Sequence, residues 1–97
     1  MLSVLRKLMQ ITDQTLVIGM DITNETQYSR AFDNRGIELG KILKFSNDIE
    51  GFQLMISWIE ELKRKYHKQQ VMVGMEPTGR YWFALVQYLK DHDIKIV

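Results

Sequence analysis

The sequence contains no cysteine, which removes disulfides, thiolate chemistry and cysteine-ligated zinc from consideration and fits a reducing cytoplasm. No apolar run approaches the ~20 residues that a membrane-spanning helix needs, so no membrane partner is expected. An excess of one charge is missing too. Thirteen Lys and Arg against twelve Asp and Glu leave a formal net charge of +1. The composition therefore holds no electrostatic footprint for nucleic acid, and such a partner has to be argued from a site. The opening Met1-Leu-Ser-Val-Leu-Arg-Lys-Leu-Met9 breaks its apolar pattern with Arg6 and Lys7 and offers no small-residue cleavage site, so a signal peptide is not expected. The two histidines, His67 and His92, fall in or near expected solvated turns and suggest no role.

What is present describes one small globular domain. Ninety-seven residues, 45% hydrophobic and 26% charged, suffice for a core and show no signature of disorder. Residues 1–14 place Leu2, Leu5, Leu8 and Met9 only weakly on one helical face and read as a loose extension, with the domain running from 15 to 97. Thr15 to about Thr23 is apolar on both faces, as in a central strand covered on two sides. Asn24-Glu25 suits a turn, and Thr26-Gln-Tyr-Ser-Arg-Ala-Phe32 alternates like a half-buried strand. Asp33-Asn-Arg-Gly36 is a hairpin signal, with Gly36 free to take φ > 0. Ile37 to Phe45 returns as a third strand, with Gly40 a candidate bulge.

Asn47-Asp-Ile-Glu50 has the outline of a capping box, and Phe52, Met55, Ile56, Ile59 and Leu62 form one apolar helical stripe. That helix ends in Lys63-Arg-Lys-Tyr-His-Lys68, where cations complement the helix dipole. The alternative for Lys63, Arg64 and Lys65 is phosphate contact. Val71 to Met75 is a further buried strand, followed by Glu76 and a sharp turn through Pro77 and Gly79. Thr78 is placed to cap a helix from Arg80 to Lys90, whose inward face is expected to be Tyr81, Ala84, Leu85, Tyr88 and Leu89. Trp82 on that helix is assigned to core packing or to a contact with a further part of the protein, with nucleic acid as the alternative. Asp91-His-Asp93 is a turn, and Ile94 to Val97 begins another strand.

The predicted fold is α/β with the order β-β-β-α-β-α-β, an antiparallel meander leading into parallel strands. In such a mixed sheet the first strand and the strand after the first helix are natural parallel neighbours, and ligands collect at the carboxyl ends of such strands. Asp21 and Glu76 both stand at such ends. Neighbouring carboxylates repel unless a cation lies between them, and hard oxygen donors with sites left for water and phosphate suit Mg²⁺ or Mn²⁺. On spacing alone two structural roles stay open: Asp21 as a turn-bonding strand end, and Glu76 as a helix cap. Arg80, cationic and close to Glu76 in sequence, is the candidate phosphate contact.

Several of these segments together resemble a known family. They are Val17-Ile-Gly-Met-Asp-Ile-Thr-Asn-Glu-Thr26, Phe32-Asp-Asn-Arg-Gly36, Lys44-Phe-Ser-Asn47, Gly51-Phe52 and above all Gly74-Met-Glu-Pro-Thr-Gly-Arg-Tyr-Trp82. They resemble the amino-terminal part of the DEDD transposases of the bacterial insertion-sequence "one-ten" family, relatives of the Piv-type invertases. The resemblance runs from about Thr15 to Val97. It implies an RNase H-like fold of the RuvC-like kind, truncated here at its C-terminal end. It also implies that Asp21 and Glu76 are the first two of four acidic ligands for divalent metal in DNA cleavage and strand transfer. Two later aspartates would lie past Val97, which makes the chain a fragment inactive by itself. Asp91 and Asp93 are not substitutes, because the turn before the last strand belongs to the opposite end of the sheet. Asp93 also stands where relatives often carry Gly. The implied partners are DNA, a guide RNA for some members, and further copies of the same chain. The implied setting is the bacterial cytoplasm, at the nucleoid.

Two other readings compete with this one. A catalytically inactive RNase H-like module for assembly or DNA binding would share the fold. A sugar-kinase or actin-like ATPase lobe would share the meander. That lobe needs a glycine-rich turn after its first Asp, which Asp21-Ile-Thr-Asn-Glu-Thr26 lacks.

Overall fold

The computed structural model describes residues 11–22, 26–76, 83–92 and 94–96. Strand β1 (Thr15–Ile22) sends Leu16, Ile18, Met20 and Ile22 into the core, none more than 5% exposed. Its other face is buried at Thr15 and Val17 and opens only at Asp21. Strand β2 (Thr26–Phe32) pairs antiparallel with β1, from Ile22↔Gln27 to Val17↔Phe32. Its alternation buries Gln27, Ser29 and Ala31 and leaves Tyr28 and Arg30 outside. The expected turn at Asn24-Glu25 lies outside the described residues.

The hairpin forms as its sequence predicts. Asp33, buried, accepts from the backbone N–H groups of Arg35 (2.9 Å) and Ile37 (3.0 Å) and from the Arg35 guanidinium (2.9 and 3.2 Å). Gly36 closes the turn at φ 84°. Strand β3 (Glu38–Ser46) returns antiparallel, and its register with β2 breaks between Ser29↔Leu43 and Ala31↔Leu39. Gly40 lies in that break at φ 70°, as a bulge requires.

Helix α1 (Ile49–Lys65) starts one residue later than the capping-box outline implied. Asp48, not Asn47, is the cap. Its Oδ1 accepts from the Gly51 N–H (2.8 Å) and the Ser46 hydroxyl (2.7 Å), and those two bonds, the first chiefly, hold its carboxyl below the usual range. Asp48 outcompetes Asn47 because an ionised carboxylate accepts more strongly from orphan N–H groups and favours the helix dipole. Phe52, Met55, Ile59 and Leu62 bury the predicted stripe, with Ile56 at its edge. The helix ends at Tyr66, whose N–H bonds the Leu62 carbonyl, and His67 turns the chain at φ 55°. The incoming segment is tied to this turn: Gln69 and Gln70 donate to the Gln14 carbonyl, and Lys68 Nζ donates to that of Asp13 at 2.6 Å.

Strand β4 (Gln70–Glu76) runs parallel to β1. Helix α2 (Phe83–Asp91) buries Leu85 and Leu89, with Tyr88 half-buried against them and its ring 5.3 Å from Phe52. The predicted inward face needs one correction: Ala84 is exposed, because it sits about 100° around the helix from the fully buried Leu85, beyond the half-buried edge of the stripe at Tyr88. Thr78, Arg80, Tyr81 and Trp82 lie outside the described residues. Strand β5 (Lys95–Ile96) pairs parallel with β4, Met72↔Lys95 and Val73↔Ile96.

The five strands are ordered β3-β2-β1-β4-β5, a mixed sheet of the RNase H-like kind. Both helices feed one core with Leu16, Ile18, Met20, Ile22 and Val73, so both cover the same face. The other face carries no helix among the described residues. No described helix is long and apolar enough to cross a membrane.

Two expected outcomes follow from this packing. A Cβ at Gly51 would strike the Ser46 carbonyl, so Gly51→Ala is expected to cost about 3 kcal/mol or to prevent folding, read as a urea midpoint; an unchanged midpoint would contradict that close approach. The second concerns Asp33. Burial, the largest influence on it, would raise its pKa, but the bonds from Ile37 and Arg35 outweigh burial and hold the group below its ordinary value. A folded-state pKa lowered in this way contributes stability that is complete above the unfolded value and lost as pH falls. Stability should therefore decline from about pH 4 downward. Asp33→Asn should flatten that decline, and parallel acid slopes in urea titrations would contradict the assignment.

Candidate metal and nucleic-acid site

β1 and β4 pair without a slip over seven residues, from Thr15↔Gln70 to Asp21↔Glu76. Asp21 and Glu76 are thus backbone neighbours at the carboxyl ends of adjoining parallel strands, about 4.8 Å apart across the sheet. Met20 and Ile22 point into the core, so Asp21 stands on the face away from the helices, and it is exposed. The sequence reading of these two positions as strand-end neighbours matches this geometry. Two hard oxygen-bearing positions side by side fit two ligands of a Mg²⁺ or Mn²⁺ ion. No cluster of three or more metal-ligating side chains occurs among the described residues. Two acidic positions would leave the other coordination positions of such an ion to water, phosphate or further donors.

The cationic run is placed differently. The turn Tyr66–Gln69 delivers the chain to Gln70, beside Thr15, so Lys63, Arg64 and Lys65 lie at the amino-end rim of β1 and β4. Six steps of about 3.3 Å, about 20 Å in all, separate that rim from Asp21. Lys63 reaches Glu60 at 4.0 Å, and Lys65 Nζ lies 5.5 Å from the Tyr66 ring centre. The fold does not bring these cations to the carboxylates. Asp91, too, precedes β5, which enters the sheet at the level of Met72, so it belongs to the opposite end from Glu76 as anticipated. Arg80 lies outside the described residues.

Two residues that sequence reasoning passed over do join Asp21. Tyr28 is its register partner on β2, and Lys44 is the register partner of Tyr28 on β3. Period-2 alternation marked 26–32 as a half-buried strand without saying which face Tyr28 takes. Only the pairing register, which the sequence does not state, brings it next to Asp21.

The model of the DEDD transposase family of IS110 type, described as transposase, matches residues 18–97. The chain belongs to this family. Transposition and DNA recombination by insertion sequences are the processes of that family. No curated protein matches the sequence. The chain is also similar to the ethanolamine utilization protein EutJ from Carboxydothermus hydrogenoformans, over 98% of its own length and 42% of that chain, with 18% identity and a TM-score of 0.44. A likeness at that level bears on neither fold nor function here.

Like charges directly opposed across strands are destabilising. Without divalent metal, Asp21→Asn is therefore expected to raise stability by about 0.5 kcal/mol in urea unfolding. A clear loss of stability would show that the Asp21 carboxylate is held by structural partners instead.

Proposed function

We propose that residues 15–97 are the amino-terminal part of an RNase H-like catalytic domain that cleaves and rejoins DNA strands. In this reading Asp21 and Glu76 hold Mg²⁺ or Mn²⁺ as the first two of four acidic ligands. The other two come from a segment beyond these 97 residues, so the chain binds the ion weakly and does not cut DNA alone. The observation that carries the reading is the in-register pairing of Asp21 with Glu76 at the carboxyl ends of β1 and β4. Family membership supplies the substrate class. When bound, such an ion supplies Lewis acidity toward a phosphodiester oxygen. The contribution of this chain is to hold two acidic positions on a rigid pair of strands, with Asp21 exposed where a DNA phosphate can approach. A guide RNA and further copies of the chain, acting at the bacterial nucleoid, complete the proposed setting.

The test is thermal unfolding with added metal. At a concentration about ten times Kd, Mg²⁺ or Mn²⁺ should stabilise the native chain by about 1.4 kcal/mol, several degrees in Tm, and Asp21→Ala should abolish the shift. Equal shifts in both proteins would remove Asp21 from the site. Robust metal-dependent cleavage of DNA by the chain alone, lost in Asp21→Ala, would retain the site and overturn the half-set.

A further inference from the structure

The register of three adjoining strands lines up more than the carboxylates. Lys44 pairs with Tyr28, Tyr28 with Asp21, and Asp21 with Glu76, so one cross-strand row runs over four strands. Partners in a row share a face of the sheet, and this is the face that no described helix covers. The face is buried at its other end, at Thr15, Val17 and Met72. It opens at this row: Asp21 and Lys44 are exposed, and Tyr28 keeps 37% of its surface in water.

Each member has chemistry that the core does not use. Tyr28 is an aromatic ring left out of the core cluster, although its strand neighbours Gln27 and Ser29 are fully buried. Lys44 has no ion-pair partner among the described residues, whereas Arg30, another cation on this face, is engaged by Glu38 at 3.9 Å. Two strand spacings, about 10 Å, separate Lys44 from Asp21. That distance is short enough for neighbouring nucleotides of one strand to meet both residues. A cation for phosphate and a flat ring for a base, in line, are the elements of a single-strand track.

We propose that Lys44 and Tyr28 form a track for a DNA strand that leads onto the Asp21–Glu76 end, with a phosphate on Lys44 Nζ and a base stacked on Tyr28. The proposal rests on the reading of that end as the site of DNA chemistry, but the binding itself needs no metal. Free positive charge and an accessible ring favour nucleic acid over a packed protein segment as the occupant of this row.

The experiment is fluorescence anisotropy of a labelled 12-nucleotide single-stranded DNA with the 97-residue chain, in EDTA and on the Asp21→Asn background, so that no metal site contributes. Tyr28→Ala and Lys44→Ala should each weaken binding about tenfold, the size expected for one stacked base or one phosphate contact. Tyr28→Phe should restore affinity, since the ring face is kept. Lys44→Ala should lower the dependence of log K on log salt by about 0.7, one released counterion on a single strand. Lys90→Ala, the same charge change on the helix side of the sheet, should leave affinity unchanged. Because both side chains are exposed, folding is checked by Tm, and Lys44→Gln and Tyr28→Ser replace any variant that fails. Absence of DNA binding, variants indistinguishable from the parent, a loss matched by Lys90→Ala, or a preference for the same sequence in RNA would each overturn the track. None of these results would touch the metal-dependent Tm shift, which tests the carboxylate pair separately.

Discussion

The parallel pairing of β1 with β4 is the constraint on which the rest of the molecule depends. Its register is locked by burial: Leu16, Ile18 and Val73 are fully buried, and each such side chain contributes about 1.5–3 kcal/mol when removed from water. A slip of one residue would turn every side chain of a strand to the other face. It would take Leu16, Ile18, Met20 and Ile22 off the helix-packed core and drive Asp21 into it. The free energy that stabilises the sheet is therefore the same free energy that holds Asp21 beside Glu76. Neither position needs a dedicated loop to bring it to the sheet end.

The placement of the helices completes the division of labour. Because α1 and α2 share one core, one face of the sheet is given over to packing, and the second face is available at the strand ends. The hairpin pinned by Asp33 and the bulge at Gly40 set the register of β2 and β3, and that register carries Tyr28 and Lys44 to the same row. Cations at Lys63, Arg64 and Lys65 remain at the far rim, where they complement the end of α1. A basic run conspicuous in sequence is thus distant from the acidic pair in space.

Much of this was legible in the residues because local and global preferences agree. Apolar runs bounded by turn signals located β1 and β4, and alternation located β2. The DNRG turn needed only the chemistry of Asp33 and the freedom of Gly36, and the 52–62 stripe gave one helix face. What sequence could not supply was register. Tyr28 and Lys44 are unremarkable in a list of exposed residues until the strand pairing places them beside Asp21. The cap of α1 was misplaced by one residue because Asn47 and Asp48 are both competent, and only the bond to Gly51 N–H decides between them. The inward face of α2 was drawn one residue too wide at Ala84, a small side chain whose composition signal is the same on either side of a helix. Ser29, polar and buried with its hydroxyl unpartnered among the described residues, was not foreseeable from alternation alone.

The central claim is that two acidic positions at the carboxyl ends of neighbouring strands form a seat for a divalent cation. Anomalous diffraction from crystals of the chain soaked in Mn²⁺ measures it most directly. The account predicts a peak beside the Asp21 carboxylate at the β1–β4 end, lost in Asp21→Asn crystals treated identically. Mn²⁺ bound at full occupancy elsewhere, with nothing at that end, would contradict it.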